Sequence, residues 1–503
     1  MSSVRCRLLP LLFAAGCMPG TTSPAPRTDE RRELRHVIDS MLSAPDVRHA
    51  RWGVLIVDPD RGDTLYSRDA GKLFVPASNQ KILTSAVALD ALGPEHRFRT
   101  LLLGGPVRGG VLDGDLHVIG RGDPSVSDHM AGDAMLPLRA AAEALARRGI
   151  TRVRGTVSAA RGNAFPDQTA GFGWQLEDFE SAYGAVVDEL LFNEGFSEVH
   201  VYGGARPGDP PRIRTSPAAS YPRVRVMATT VARGAGRDSL ARLDAAKDST
   251  TWEIIVSGTI PVGDSATLEV THRDPRTAYV AALREALIAR GITFGDSAVG
   301  DSLPPLDTLH VLESPPLSQI LQYFMKPSQN QIGEMLFKSV ALAKTDTGAA
   351  RIARRLFAER LRSWGAEPDG FLVYDGSGLS RRDMVTPETL VRVLDAMRRG
   401  PHFQTYYDAF PVAGVDGTLR ARMRGTVGEA NVRGKTGTLG NVRSLSGYIT
   451  TAGGQMLLYS ILCNNYLVGT DYVSRVQDSI AVRAARLRGI PPARPALIGG
   501  SGN

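Results

Sequence analysis

The chain has 503 residues, 43% apolar and 22% charged, enough for several packed domains and too apolar for a disordered polymer. Its 3 cysteines exclude a disulfide-stapled scaffold. The net charge of +7 comes from basic residues interspersed with acidic ones, without a basic run interleaved with aromatics, so no nucleic-acid partner is expected.

In chain order, Arg5 and Arg7 precede an apolar run over 8–15 that is too short to span a bilayer. Residues 1–17 therefore read as a signal peptide. Ala14-Ala15-Gly16-Cys17 resembles a bacterial lipobox, in which Cys17 would be acylated; Ala14 departs from the usual Leu, and ordinary secretion with cleavage nearby is the alternative. Residues 18–33, rich in Thr and Pro, read as a flexible linker. A helix is expected over 34–44, strands over 52–57 and 64–66, and a turn over 58–62. Pro76 then opens a helix in which apolar residues recur at helical spacing to Leu89.

That helix carries Ser78 and Lys81 at i and i+3, stacked on one face. A serine hydroxyl is a weak nucleophile that needs an adjacent base, and a lysine serves once its pKa is depressed. By itself, S-x-x-K is common on solvated helix faces. Two further motifs follow in order, Ser328-Gln329-Asn330 and Lys435-Thr436-Gly437-Thr438. Ser328 can relay a proton between Lys81 and a leaving group, and Asn330 can bind a substrate amide. Lys435 and Thr436 offer a cation and a hydroxyl to a terminal carboxylate, and Gly437 admits close backbone approach. Helix capping by Ser328-Gln329-Asn330 and a hairpin turn at Lys435-Thr436-Gly437 are the structural alternatives. S-x-x-K, S-x-N and K-T-G in this order are the set of serine penicillin-binding proteins and related β-lactamases.

The 250 residues from Ser78 to Ser328 leave room for whole extra domains. This long insertion resembles the D-alanyl-D-alanine carboxypeptidase/endopeptidase family of low-molecular-mass penicillin-binding proteins, class C. Tyr374-Asp375-Gly376-Ser377-Gly378-Leu379-Ser380-Arg381 is similar to the family's D-G-S-G-L-S segment. The stretches 411–419 and 446–451 are similar to its P-x-A-G-x-D-G-T/S-L segment and to the strand after K-T-G. The resemblance spans about residues 34 to 488 and implies an α+β fold: a penicillin-binding/β-lactamase-like core, an antiparallel sheet covered by helices, with two inserted, largely β domains. It implies a discontinuous catalytic domain at 34–97 and 307–490, an inserted domain at 98–165 and 268–306, a further one at 166–267, and a flexible tail at 491–503.

The activity implied is a serine-type D-Ala-D-Ala carboxypeptidase, with possible endopeptidase activity, acting on peptidoglycan stem peptides in the periplasm and acylated by β-lactams at Ser78. Lys81 would be the base, Ser328 and Lys435 would protonate the leaving group, and Asn330 would position the acyl chain. The Ser78 and Thr438 N–H groups would form the oxyanion hole, and Lys435, Thr436 and Thr438 would hold the terminal carboxylate. The resemblance also implies an acidic residue in the insertion that reads a diaminopimelate amine; Asp178, or next to it Glu177, is the candidate, although a solvated carboxylate is the ordinary reading. No cofactor or metal is expected, since no H-E-x-x-H or close His/Asp cluster occurs. The alternatives are a β-lactamase or esterase on the same scaffold, or a non-catalytic module that binds β-lactam or peptidoglycan.

Two other motifs are set aside. Ser377 and Ser380 do not stand in a G-x-S-x-G frame, so that segment reads as a Gly-rich loop lining the site. Glu189 to Asn193 mimics the E-x-x-x-N of class A β-lactamases but precedes Ser328, the reverse of their order. Cys463 follows an apolar run and is expected as a buried free thiol.

Overall fold

The computed structural model describes residues 28–489 apart from 160–163, 168–169, 235–239, 249–252 and 296–305. The expected signal peptide, Cys17 and the tail lie outside the described residues.

The architecture grows from strand Arg51–Asp58, whose side chains are buried on both faces. Strand alternation sends Trp52, Val54 and Ile56 into one apolar cluster and Leu55 into another on the opposite face. Antiparallel partners extend this into a five-stranded sheet in the order Asp63–Arg68, Arg51–Asp58, Met456–Asn464, Val442–Thr450, Arg433–Leu439. Helices Thr28–Leu42 and Thr470–Ala485 cover one face. Helices Gln80–Leu92, Asn330–Thr345, Ala350–Ser363 and Pro387–Arg399 cover the other. Helix Gln80–Leu92 is buried continuously from Gln80 to Leu89, which makes it the central rod of that layer. Cys463 pairs with Trp52 in the sheet and is a buried free thiol, its pKa pushed up by burial.

The helix expected at 34 begins at Thr28, six residues inside the expected linker. Leu34, Ile38 and Leu42, spaced by one turn, are buried against the sheet, each contributing roughly 1.5–3 kcal/mol. Arg31 and Arg35 fasten the first turns to the carbonyls of Thr64 and Leu65.

Two packed units stand between the halves of the core. In one, strands Asp307–Glu313, Arg99–Gly104, Leu116–Ile119 and Val157–Ala159 form a sheet in that order. Helices Met135–Arg147 and Pro275–Ala289 pack with it around Leu102, Val118, Leu138 and Leu283. In the other, the three-stranded sheet Arg212–Ser216, Phe196–Tyr202, Ser265–Thr271 shares an apolar core with a four-stranded sheet centred on Ile254–Pro261. Val199, Val201, Val256 and Ile260 fill the space between these two sheets.

Two of the expected divisions fall across paired strands. The division at 267/268 cuts strand Ser265–Thr271, which pairs along its whole length with Phe196–Tyr202. The division at 306/307 separates Asp307–Glu313 from Arg99–Gly104, its hydrogen-bonded partner. Beside that strand pair, Phe98 N–H donates to Ser314 Oγ at 2.9 Å, and Ser314 N–H donates to the Phe98 carbonyl at 3.0 Å. Such pairing over about two hundred residues leaves no local trace in composition.

Candidate active site

Pro76 leads into a short 3₁₀ turn, Ala77–Asn79, that runs directly into helix Gln80–Leu92. This places Ser78 at the mouth of the helix and Lys81 one turn in, as the i, i+3 spacing requires. The turn is pinned from the K-T-G side. Asn79 Nδ2 donates to the Lys435 carbonyl at 2.7 Å, and Ser444 Oγ donates to the Pro76 carbonyl at 2.6 Å.

Lys81 is fully buried, and its Nζ lies 2.8 Å from Ser78 Oγ, 2.6 Å from Asn330 Oδ1 and 2.7 Å from the Ser377 carbonyl. Burial pulls its pKa down to about 7, against the opposing pull of Asp375 and Glu334. A neutral amine has two N–H groups and one lone pair. The Asn330 oxygen and the Ser377 carbonyl can only accept, so they take the two N–H groups, and the lone pair is left for the Ser78 hydroxyl. In this arrangement a neutral Lys81 could take the Ser78 hydroxyl proton.

On the other side, Lys435 Nζ lies 2.8 Å from Ser328 Oγ and 3.0 Å from the Thr436 carbonyl. Burial, with Lys81 and Arg443 as neighbouring cations, holds its pKa well below the usual lysine range. A carboxylate beside it would favour the ammonium form again. Ser328 sits at φ 71°, a left-handed backbone uncommon for serine, and Gln329 caps helix Asn330–Thr345 by accepting from Ile332 N–H at 2.8 Å. The motif is therefore a helix cap and also a site segment. Thr436 Oγ1 bonds Thr418 Oγ1 at 2.8 Å, and Thr438 Oγ1 accepts from Arg443.

Ser78, Ser328, Asn330, Thr436, Gly437 and Thr438 all line one cleft of about 820 Å³, with Lys81 and Lys435 buried behind them. Gly437 has a tighter reason than substrate approach. A Cβ there would lie 2.1 Å from Ser444 Oγ, 2.7 Å from the Pro76 carbonyl and 2.9 Å from Ser78 N, so the fold itself uses the clearance to seat the Ser78 turn. Asp178 and Glu177 also reach the cleft. Asp178 is buried and caps a 3₁₀ turn by accepting Gln175 N–H at 2.9 Å, whereas Glu177 is exposed. The set-aside Glu189–Asn193 segment is structural: Glu189 Oε2 accepts from Ala164 and Phe165 N–H, and Asn193 Oδ1 accepts from Asp128 N–H.

Motif reading missed several contributors. Ser377 supplies a carbonyl to Lys81, Tyr183 fixes the Asn330 amide by accepting from Nδ2 at 2.8 Å, and Thr418 comes from the 411–419 stretch. The D-G-S-G loop is shaped by Asp375, which accepts from Gly378 N–H, Ser380 N–H and the Trp174 indole at 2.7, 2.7 and 2.9 Å. The loop was legible as the D-G-S-G-L-S segment, but the contacts of Asp375 and of the Ser377 carbonyl were not. At Gly378 (φ +82°) a Cβ would stand 2.0 Å from the Ala77 carbonyl.

Among known proteins, the family model described as the D-Ala-D-Ala carboxypeptidase 3 (S13) family matches residues 34–487. The D-alanyl-D-alanine carboxypeptidase of Actinomadura sp. strain R39 is 36% identical over 475 residues, covering 91% of this chain and 85% of that protein. D-alanyl-D-alanine carboxypeptidase DacB of Haemophilus influenzae is 25% identical over 445 residues, covering 86% and 89%. The crystal structure of penicillin binding protein 4 from H. influenzae superposes with a TM-score of 0.74 at 23% identity, covering 88% of this chain and 98% of that one, a likeness of fold. The core sheet under its two helical layers and the inserted units are thus the expected penicillin-binding architecture. The match over 454 residues, with the identity to the Actinomadura enzyme, shows that the chain belongs to the D-Ala-D-Ala carboxypeptidase (S13) family.

Proposed function

We propose that the chain is a serine-type D-Ala-D-Ala carboxypeptidase working through an acyl-enzyme on Ser78. The observation that carries this reading is the buried Lys81 amine, 2.8 Å from Ser78 Oγ and held by two further acceptors at the floor of the shared cleft. Ser78 Oγ attacks the carbonyl of the penultimate D-Ala while its proton passes to Lys81 Nζ. The oxyanion is received by the Ser78 and Thr438 N–H groups. The bond to the terminal D-Ala breaks as its nitrogen takes a proton through Ser328, held by Lys435. Water then hydrolyses the ester and releases Ser78. Lys435, Thr436 and Thr438 hold the terminal carboxylate, and Asn330 positions the acyl chain. β-Lactams, which carry a strained amide and a carboxylate in the same relation, acylate Ser78.

Asp178, on the inserted wall of the cleft, is read as the recogniser of a side-chain amine on the stem peptide. The same residues would serve endopeptidase cleavage of D-Ala cross-links. The division of the chain is read as a core at 28–97 and 314–489, one inserted unit at 98–159, 272–295 and 307–313, and an outer sandwich within 196–271. Export to the cell-wall compartment follows from the substrate and from the N-terminal pattern. Among the described residues no helix is long and apolar enough to cross a membrane. Lipid on Cys17 would supply an anchor, and fractionating wild-type and Cys17→Ser protein tests it, a shared distribution excluding that anchor.

The decisive test is Ser78→Ala. It should abolish both covalent labelling by a fluorescent penicillin and release of D-Ala, while thermal unfolding stays that of the wild type. A labelled Ser78→Ala protein would sink the assignment.

A further inference from the structure

We propose that Glu334 is a positioning residue for the Ser78–Lys81 pair, bracing the Gly376–Ser377 backbone so that the Ser377 carbonyl meets the Lys81 amine. The inference rests on reading Lys81 as the base. Helix Asn330–Thr345 carries Asn330 and Glu334 at i and i+4, hence on one face. Asn330 Oδ1 reaches Lys81 directly, at 2.6 Å. Glu334 reaches it through the loop: Oε1 accepts Gly376 N–H at 3.0 Å and Ser377 N–H at 2.9 Å, and the Ser377 carbonyl accepts from Lys81 at 2.7 Å. One helix therefore sets two of the three contacts of the base.

The surroundings favour a neutral brace. Glu334 is buried with two further acids, Asp375 and Asp383. Burial first, then Asp375, pushes the Glu334 pKa up to about 8, toward the acid form, and in that form its carbonyl oxygen still accepts two N–H groups. The other two acids have their own tasks. Asp375 shapes the loop, and Asp383 Oδ1 accepts Tyr374 N–H at 2.5 Å. Lys338, one turn along the same helix, is engaged by Asp167, and Arg354 by the Tyr374 carbonyl. A cavity of about 200 Å³ lined by Glu334, Lys338 and Tyr374 opens behind the brace.

The test compares Glu334→Ala, Glu334→Asp and Glu334→Gln in the full chain, measuring the first-order acylation rate constant with a fluorescent penicillin. Reversible binding is measured separately in a Ser78→Ala background. Asp withdraws the acceptor by about 1.5 Å, one C–C bond. Ala and Asp should each lower the acylation constant by about 10-fold or more, as small misplacements of reacting groups do, with reversible binding unchanged. Gln, which imitates the protonated acid at full reach, should recover most of that loss. Glu334→Gln as slow as Glu334→Asp would overturn the proposal, and so would wild-type rates in all variants. Equal loss of reversible binding and thermal stability would also overturn it, since that pattern belongs to a residue serving the fold alone. Should Glu334→Ala not fold, the Asp and Gln pair still decides. If Ser78→Ala loses labelling while the Glu334 variants keep wild-type rates, only this inference falls.

Discussion

The two walls of the cleft are built on different plans. The core wall is a closed polar network in which Ser78, Lys81, Asn330, Ser328 and Lys435 bond to one another or to backbone carbonyls. The inserted wall offers Gln175, Glu177, Asp178 and Tyr183, which line the cleft from a stretch of short 3₁₀ turns. Chemistry needs groups whose mutual geometry is set before substrate arrives. Recognition of a variable peptide needs groups that face outward with capacity left over. The walls touch where Asn330 Nδ2 donates to the Tyr183 carbonyl and Gln331 Nε2 to those of Ala182 and Ala185, so the insertion also fixes which end of the Asn330 amide faces Lys81.

The sharpest break of this comparison is made on the core wall. Lys81→Arg keeps a cation but cannot give up its proton near neutrality. Acylation should fall by at least about 100-fold for every substrate, β-lactam or peptide, in line with the loss of a positioned base. A loss confined to one substrate class would mean that Lys81 reads substrate rather than moving protons. Rapid-quench labelling and D-Ala release measure both.

Next in size is the pH dependence. On the proposed reading Lys81 takes a proton only when neutral, and burial brings its pKa down to about 7. As pH falls below that value the amine is protonated, so acylation should drop by about tenfold per unit on the acid side and level off on the alkaline side. The inserted wall does not enter this limb, so amine-bearing and amine-free substrates should share its midpoint. A rate constant flat between pH 5 and 8 would remove Lys81 as the base.

How much of this was legible depends on the distance over which each feature is encoded. Ser78 and Lys81 share a helical turn, so their juxtaposition follows from local spacing. Ser328, Asn330 and Lys435 were legible as motifs in order, although the contacts of Lys435 with Ser328 and of Asn79 with Lys435 are tertiary. The brace by Glu334 was not legible: its partners Gly376 and Ser377 lie more than forty residues away, and a glutamate on a helix reads as a solvated one. The start of the first helix was misplaced because Thr28–Glu33 is polar, and only the packing of Leu34 and Ile38 reveals that the turn before them is ordered. The pairing of Asp307–Glu313 with Arg99–Gly104 was hidden for a similar reason, since a short strand carries no mark of the partner it joins.

The smallest and most selective effect belongs to the inserted wall. Asp178→Asn should lower kcat/KM on muropeptides bearing a free diaminopimelate amine while sparing an acyl-D-Ala-D-Ala peptide without that amine. One charge-assisted hydrogen bond is lost, worth roughly 1.5–3 kcal/mol, or about one to two decades. The fold should tolerate the change. Asp178 caps its turn by accepting Gln175 N–H, and the amide oxygen of Asn can accept the same bond. Penicillin labelling should proceed at the wild-type rate, because neither Ser78 nor Lys81 contacts Asp178 by any hydrogen bond seen in the structure. Equal losses on both peptides would mean that Asp178 supports the turn rather than reading the stem. Glu177, exposed on the same rim, would then be the carboxylate to test, and the division of labour between the two walls would stand with a different reader.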